Sequence, residues 1–344
     1  MNANYMFSLI AVIVLFLLAY LGIEAAGLHV LFGILIPYMA LVIFVAGFIR
    51  KVMNWAYSPV PFRIPSTCGQ QRSLPWISSA EIDNPFTKKG VIVRMALEVL
   101  FFRSLFRNFR FEMKEGSKLS YIWEKWLWLA ALAFHWAFLA VVVRHLRFFT
   151  EPVPFFVRAV EYLDSFFRVE VVNTVVQIGL PGIFISGIVL LAAVIYLFLR
   201  RVFIPQVNYI SLASDYFPLF LIMGIAISGI LMRYFLKTDI VTVKAFTMGL
   251  VTFRPAIPQG GLASVFYVHL FFVSVLLAYF PFSKLMHLGG IFMSPTRNLT
   301  ADTRVQRHVN PWNYPVHVHT YQEYEDDFRE KMIEAGLPVE KESV

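Results

Sequence analysis

Six long apolar runs divide the chain, at about Phe7–Ile23, Leu28–Phe48, Tyr121–Val143, Val176–Leu199, Tyr216–Leu236 and Leu262–Leu288. A helix crosses the hydrocarbon of a bilayer in about 20 residues, so each run is long enough, or nearly so, to span it. Only "EAAG" separates the first run from the second, which predicts a tight helical hairpin. The polar positions between the runs predict further elements. "RMALEVLFFRSLFRNFRFE" (94–112) sets Arg94, Arg103, Arg107 and Arg110 among large apolar residues, and "PFFVRAVEYLDSFFRVE" (154–170) has the same character. Both fit helices lying in the membrane interface, with arginines meeting anionic head groups. The tail carries "TYQEYEDDFREKMIEAGLP", a short charged helix stopped by Gly336 and Pro338. The pattern describes an all-α integral membrane protein, a six-helix transmembrane bundle with a cytoplasmic loop and a C-terminal tail. It divides into a transmembrane hairpin (1–48), a cytoplasmic segment with an interfacial helix (49–120), a four-helix core (121–290) and a cytoplasmic tail (291–344).

Composition agrees. Hydrophobic residues make up 58% of the 344, mean hydropathy is +0.65, and only 15% are charged, against roughly 25% in soluble domains. Thirty-five Phe, 15 Tyr and 7 Trp suit lipid-facing surface and interfacial belts. The net charge of +8 would point to nucleic acid in a soluble protein. Here lipid and the positive-inside rule account for it, and no nucleic-acid partner is expected. Six spans put both termini on one side. Of 30 Lys and Arg, Arg144, Arg147, Arg158, Arg168, Arg233, Lys237, Lys244 and Arg254 stand on the other side, leaving 22 with the termini. The termini are therefore expected in the cytoplasm, in a multi-pass cell membrane protein. "MNANYMFSLIAV" has no basic leader and reads as a retained first span. The single cysteine, Cys68, excludes an internal disulfide, a cysteine-ligated iron–sulfur cluster and a CxxCH haem attachment. "QGGLAS" (259–264) is a turn before a span, and nothing resembles a hydrolytic triad or a phosphate loop.

The apolar stretch "FHWAFLAVVVRHLRF" (134–148) carries His135 and His145, and the sixth run carries His269 and His287. An ionisable ring at membrane depth is costly and marks function. The third and sixth spans run antiparallel, so His145 and His269 lie toward the outer leaflet and His135 and His287 toward the inner. Ten residues rise about 15 Å and eighteen about 27 Å. Eighteen residues are five whole turns, so His269 and His287 share a face of a continuous helix. The unequal rises demand a tilt or a bend, and Pro281 can kink the sixth span. Single membrane histidines are often no more than hydrogen-bonded packing residues. Two pairs stacked across a bilayer are what two bis-histidine haems require, and neutral imidazole is a usual axial ligand. Without CxxCH such haems are b-type, so the metal ligands are His135, His145, His269 and His287. His29, His308, His317 and His319 read as interface or surface residues. Arg144 and Arg147 flank His145 and are candidates for pairing with haem propionates or head groups.

Spacings of ten and eighteen residues resemble the haem-ligand pattern of the respiratory nitrate reductase gamma subunit family, di-haem b quinol oxidases of the membrane. The resemblance implies the same pairs, His145 with His269 and His135 with His287. This chain has six spans where that family has five, one helix being added in front. The segment 49–125, "ALEVLFFRSLFRN" (96–108) and "LGGIFMSPTRN" (288–298) resemble the cytochrome b subunits of DsrMKJOP-type complexes and their archaeal Hdr-like menaquinol-oxidising counterparts. That implies a quinol-oxidising oxidoreductase subunit, active within a complex and linked to sulfite reduction and sulfate respiration. It would carry two haem b and oxidise menaquinol near the outer haem. Electrons would pass to a cytoplasmic iron–sulfur partner resembling heterodisulfide reductase, with other membrane and outer-face redox subunits alongside. Candidates for handling the released protons are Arg144, Arg147, Arg158, Asp164, Arg233, Lys237 and Asp239. The alternatives are a transporter or proton relay built on intramembrane histidines, and a haem-free membrane anchor.

Overall fold

The computed structural model describes residues 4–60, 69–114, 116, 118–166, 169–172, 177–180, 182–303, 305–309 and 318–340. Cys68, Arg168, His317 and Val176, the predicted start of the fourth span, lie outside these. Helices α1 (Asn4–Glu24) and α2 (Leu31–Tyr57) form the predicted hairpin. Next come α3 (Lys88–Phe101), α4 (Arg103–Phe106) and an antiparallel hairpin of β1 (Phe109–Lys114) and β2 (Lys118–Trp123). The third span, α5 (Lys125–Phe148), is followed by α6 (Phe155–Asp164). Strands β3 (Ser165–Phe166), β4 (Val169–Val172), β5 (Gln177–Leu180) and β6 (Ile183–Phe184) pair β3 with β6 and β4 with β5. The fourth span α7 (Ile185–Phe203), the short α8 (Pro205–Ile210) and the fifth span α9 (Ala213–Phe235) follow. After α10 (Ile240–Val251) and the sixth span α11 (Ser264–Phe282) come α12 (His287–Gly290), α13 (Pro295–Asn298) and the tail helix α14 (Tyr321–Glu334).

Six helices are thus long and apolar enough to cross a membrane, and among the described residues no sheet closes into a barrel. Most side chains on these helices face outward, as expected where lipid and not protein covers them. One core joins Val12, Ala19 and Phe32 of the hairpin region to Phe246 of α10 and Phe266, Tyr267 and Phe271 of α11. A second joins Ala137, Leu190, Val194 and Ile222 of α5, α7 and α9. A few polar ties cross between spans at the end that carries the termini. The Ser8 hydroxyl donates to the Ala213 carbonyl (2.8 Å), and the Lys284 ammonium meets Asp215 (2.6 Å).

Several predicted boundaries move. The third span starts at Lys125 and not Tyr121, because "KLSYIW" pairs with "FRFEMK" as a strand, Phe111 opposite Tyr121. The same pairing ends the interfacial helix early, so 109–112 of the predicted 94–112 stretch are strand. The fourth span starts at Ile185, since 177–180 are strand and Pro181–Gly182 precedes the helix. The outer amphipathic stretch is helical only over Phe155–Asp164. The sixth span does not run unbroken to Leu288. Pro281 follows its last α-turn, and Ser283 is extended (φ −121°, ψ 174°). No continuous run of five helical turns therefore connects His269 to His287, and a shared face does not follow. Helix α10 was not anticipated; its 12 residues are too few to span.

Helix α3 ends against α5. Trp128 and Trp136 of α5 donate their indole N–H groups to the carbonyls of Phe101 (2.8 Å) and Leu100 (3.1 Å), satisfying last-turn acceptors that the helix cannot. Phe102 then turns left-handed (φ 51°), a conformation costing an L residue roughly 1–2 kcal/mol, and its ring stands 4.8 Å from that of His135. The segment before α3 is clamped to α4 by Asp83, which accepts from Arg103 and from Arg107 (2.7 Å). The tail packs on this segment, Ala301 N–H donating to the Pro85 carbonyl (2.8 Å).

Burial pushes the Asp83 carboxyl up, but hydrogen bonds from Arg103 and Arg107 outweigh it and hold it below the ordinary carboxylate range. A depressed folded pKa stabilises above the unfolded value of about 3.9, and that contribution disappears as pH falls through the lower folded value. Asp83→Asn is therefore expected to melt below the unaltered protein at pH 6, with the gap closing toward pH 3, as read by thermal denaturation in detergent.

Candidate functional site

The four span histidines meet in two pairs. The ring centres of His145 and His269 are 6.4 Å apart with planes 14° from parallel. Those of His135 and His287 are 5.8 Å apart and crossed at 82°. A metal–imidazole bond of about 2 Å places two rings sharing one metal roughly 6 Å apart, centre to centre. Rotation about the ligand–metal–ligand line leaves both bonds intact, so parallel and crossed rings are equally able to share a metal. Ten residues of α5 separate the two levels by about 15 Å. The break after Pro281 lets His287 reach His135 although α11 has ended.

Each ring is held by one nitrogen. His135 Nδ1 contacts the Ala131 carbonyl and His145 Nδ1 the Val141 carbonyl, both at 2.7 Å and both one turn back on α5. His287 Nδ1 contacts the Lys284 carbonyl at 2.9 Å. His269 differs, since its Nδ1 lies 2.9 Å from the Ser228 hydroxyl of α9. Gly229 lies beside the ring, and a Cβ there would stand in ordinary contact with it, 3.4 Å from His269 Cε1. An Nδ1 hydrogen bond to a carbonyl fixes the tautomer that leaves Nε2 as a bare acceptor, the form that binds metal. The ring contacts of all four run through Nδ1, and among the described residues no group of three or more His, Cys, Asp or Glu gathers as a metal site. A metal held by either pair needs its other ligands from a chelator such as a porphyrin. The donor set fits haem.

Beyond His145 lies a buried ionic cluster. Arg144 Nε is 2.8 Å from Asp164, and its Nη2 donates to the Ser186 hydroxyl (2.9 Å). Ser186 donates its backbone N–H and its hydroxyl to Asp164 (2.7 and 2.6 Å). The guanidiniums of Arg144 and Arg233 stand 3.8 and 3.9 Å from the centre of the Phe184 ring, so the ring is sandwiched between two cations. Arg147 pairs with Glu161. Asp239 caps α10, accepting from Val241 N–H (3.0 Å). Helix α10 itself closes over the end of α5, where the Thr247 hydroxyl donates to the Phe148 carbonyl (2.7 Å).

Of the remaining histidines, His29 packs on Tyr267 (5.2 Å between ring centres) and His319 lies 4.0 Å from Asp327. Ser228, Phe102 and Tyr267 had no signal as site residues in the sequence. Each is an ordinary member of a largely apolar run whose neighbour is set by packing.

The profile of the nitrate reductase gamma subunit family matches residues 91–309. A protein of Archaeoglobus fulgidus named Hdr-like menaquinol oxidoreductase cytochrome b-like subunit is 44% identical over 290 residues, 83% of this chain and 84% of that one. Its namesake in Archaeoglobus profundus is 42% identical over 283 residues, 81% of each chain.

Removing one partner of a buried ion pair leaves an uncompensated charge and costs about 3–5 kcal/mol. Asp164→Ala is expected to destabilise the fold by that order, through Arg144, in a chemical-denaturation measurement; Asp239→Ala, at an exposed cap, should cost clearly less.

Proposed function

The chain belongs to the nitrate reductase gamma subunit family, and on that premise we propose that it is the di-haem b subunit of a menaquinol-oxidising membrane complex. The observation that carries this is the meeting of four histidines in two pairs, each with Nδ1 engaged. His145 and His269 would hold one haem b, and His135 and His287 the other. Haem b, when bound, supplies a one-electron carrier at each level. The protein's own work is to fix the rings and exclude water with the surrounding aromatic and aliphatic side chains. It also places cationic residues beside the outer level. Arg144 and Arg233 outnumber Asp164 around Phe184, and the surplus charge suits an anionic edge such as a propionate. Arg147 extends that cationic surface.

The excess of Lys and Arg on the side of the termini supports a cytoplasmic placement for both, and an outer placement for His145, His269 and the arginine cluster. Menaquinol, named for the relatives, is the proposed substrate, oxidised at the outer level. The finer proposal is a DsrMKJOP-type complex linked to sulfite reduction. A cytoplasmic heterodisulfide reductase-like iron–sulfur subunit would take the electrons, with further membrane and outer-face redox subunits alongside. The relatives' "Hdr-like" name supports such a partner, and a chain with one cysteine needs it for any cluster chemistry. The loop containing α3 and the tail that packs on it form the proposed docking surface.

A reduced-minus-oxidised spectrum of the purified chain is expected to show two b-type haems. His269→Ala should lose one and keep the other; a variant that retains both would refute the ligand assignment. Ser228→Ala should keep both haems but shift the midpoint potential of one, since it alters only the hydrogen bond to His269 Nδ1.

A further inference from the structure

Two buried polar atoms near the outer histidine pair have no partner among the described residues: His29 Nδ1 and the Tyr267 hydroxyl. Their rings are 5.2 Å apart, and Tyr267 is fully buried. A buried hydroxyl or ring nitrogen without a hydrogen bond is destabilising, and a fold that keeps two side by side needs a reason. The backbone is shaped around them. Directly after His29, residues Leu31–Leu35 form a π-turn, a distortion that recurs at functional sites. Gly33 within that turn lies against Tyr267, where a Cβ would come within 3.0 Å of the ring and 3.2 Å of Phe246. Phe32, Phe246 and Phe266 supply apolar, aromatic surroundings.

We propose that His29 Nδ1 and the Tyr267 hydroxyl form the hydrogen-bonding end of a site for the oxygen-bearing ring of a quinol or quinone. The two groups suit both redox forms. A tyrosine hydroxyl donates to a quinone carbonyl or accepts from a quinol hydroxyl, and a neutral imidazole nitrogen accepts from the latter. The aromatic walls suit the flat apolar body of the same molecule. Tyr267 and His269 are two residues apart on α11 and so point to opposite faces, about 200° apart. The site therefore lies roughly one helix diameter, about 10–12 Å, from the outer histidine pair. His29 precedes the region matched by the family profile and belongs to the N-terminal hairpin, which gives that hairpin a role in the site. The inference deepens the proposed function and rests on it for the choice of ligand.

The test is Tyr267→Phe and His29→Leu in the intact membrane complex, with binding of menadione, a naphthoquinone without a tail, read by equilibrium dialysis. Tyr267→Phe removes one unpartnered oxygen and keeps the ring. It is expected to leave both haem absorbances in place, to leave the melting temperature unchanged or raised, and to weaken menadione binding about five- to tenfold, the size of one lost hydrogen bond. His29→Leu should weaken binding by a similar factor. Unchanged binding in both variants overturns the site. So does a lower melting temperature with unchanged binding in Tyr267→Phe, which would mean that the hydroxyl holds a structural water. The dialysis reads this site and the spectrum reads the haem ligands, so either proposal can fail without the other.

Discussion

An imidazole at membrane depth has two nitrogens and must commit one of them. If both are left without partners the residue is costly; if both are tied down it can hold nothing. All four span histidines commit Nδ1 to the fold. On α5 the hydrogen bond goes to the carbonyl four residues back, so a single helix both carries the ring and fixes its tautomer. This division, one nitrogen for the fold and one for the site, underlies every other feature of the core.

The second member of each pair reaches its place by a different route. His269 stands on an unbroken turn of α11, and its Nδ1 meets a hydroxyl from α9. His287 stands beyond a proline break, on the short α12, and its nearest backbone partner is Lys284. The inner pair depends on the chain leaving helical geometry at Ser283 and resuming it at His287. The left-handed Phe102, whose ring abuts His135, is a second local distortion at the same level. Toward the other level the distortions lie elsewhere, in the π-turns at Leu31–Leu35, just after His29, and at Leu231–Phe235, which contains Arg233.

Charge is distributed with similar economy. The buried cluster beside His145 shares Asp164 between Arg144 and Ser186 and stacks two guanidiniums on Phe184. Weakly hydrated, planar guanidinium is the cation best able to occupy so apolar a place. At the opposite end ion pairs join helices as well as loop: Arg200 meets Glu124, Lys284 meets Asp215, and Asp83 holds Arg103 and Arg107. These contacts shape the surface that a partner would meet.

The number of spans, their antiparallel order and the four paired histidines were legible in the sequence, because the bilayer imposes a length of about 20 apolar residues and penalises every ionisable side chain within it. The pairing by depth followed from that order alone. The strand pairs were not legible, since their residues continue the neighbouring amphipathic and apolar stretches and read as more of the same helix. Nor was the route of His287, because a proline permits a bend without setting its direction. Ser228, Phe184 and Tyr267 became site residues only through neighbours on other helices. Depth is a one-dimensional property that the sequence carries, whereas the face a residue turns to its neighbour depends on rotation, kinks and crossing geometry, which only the packed bundle decides.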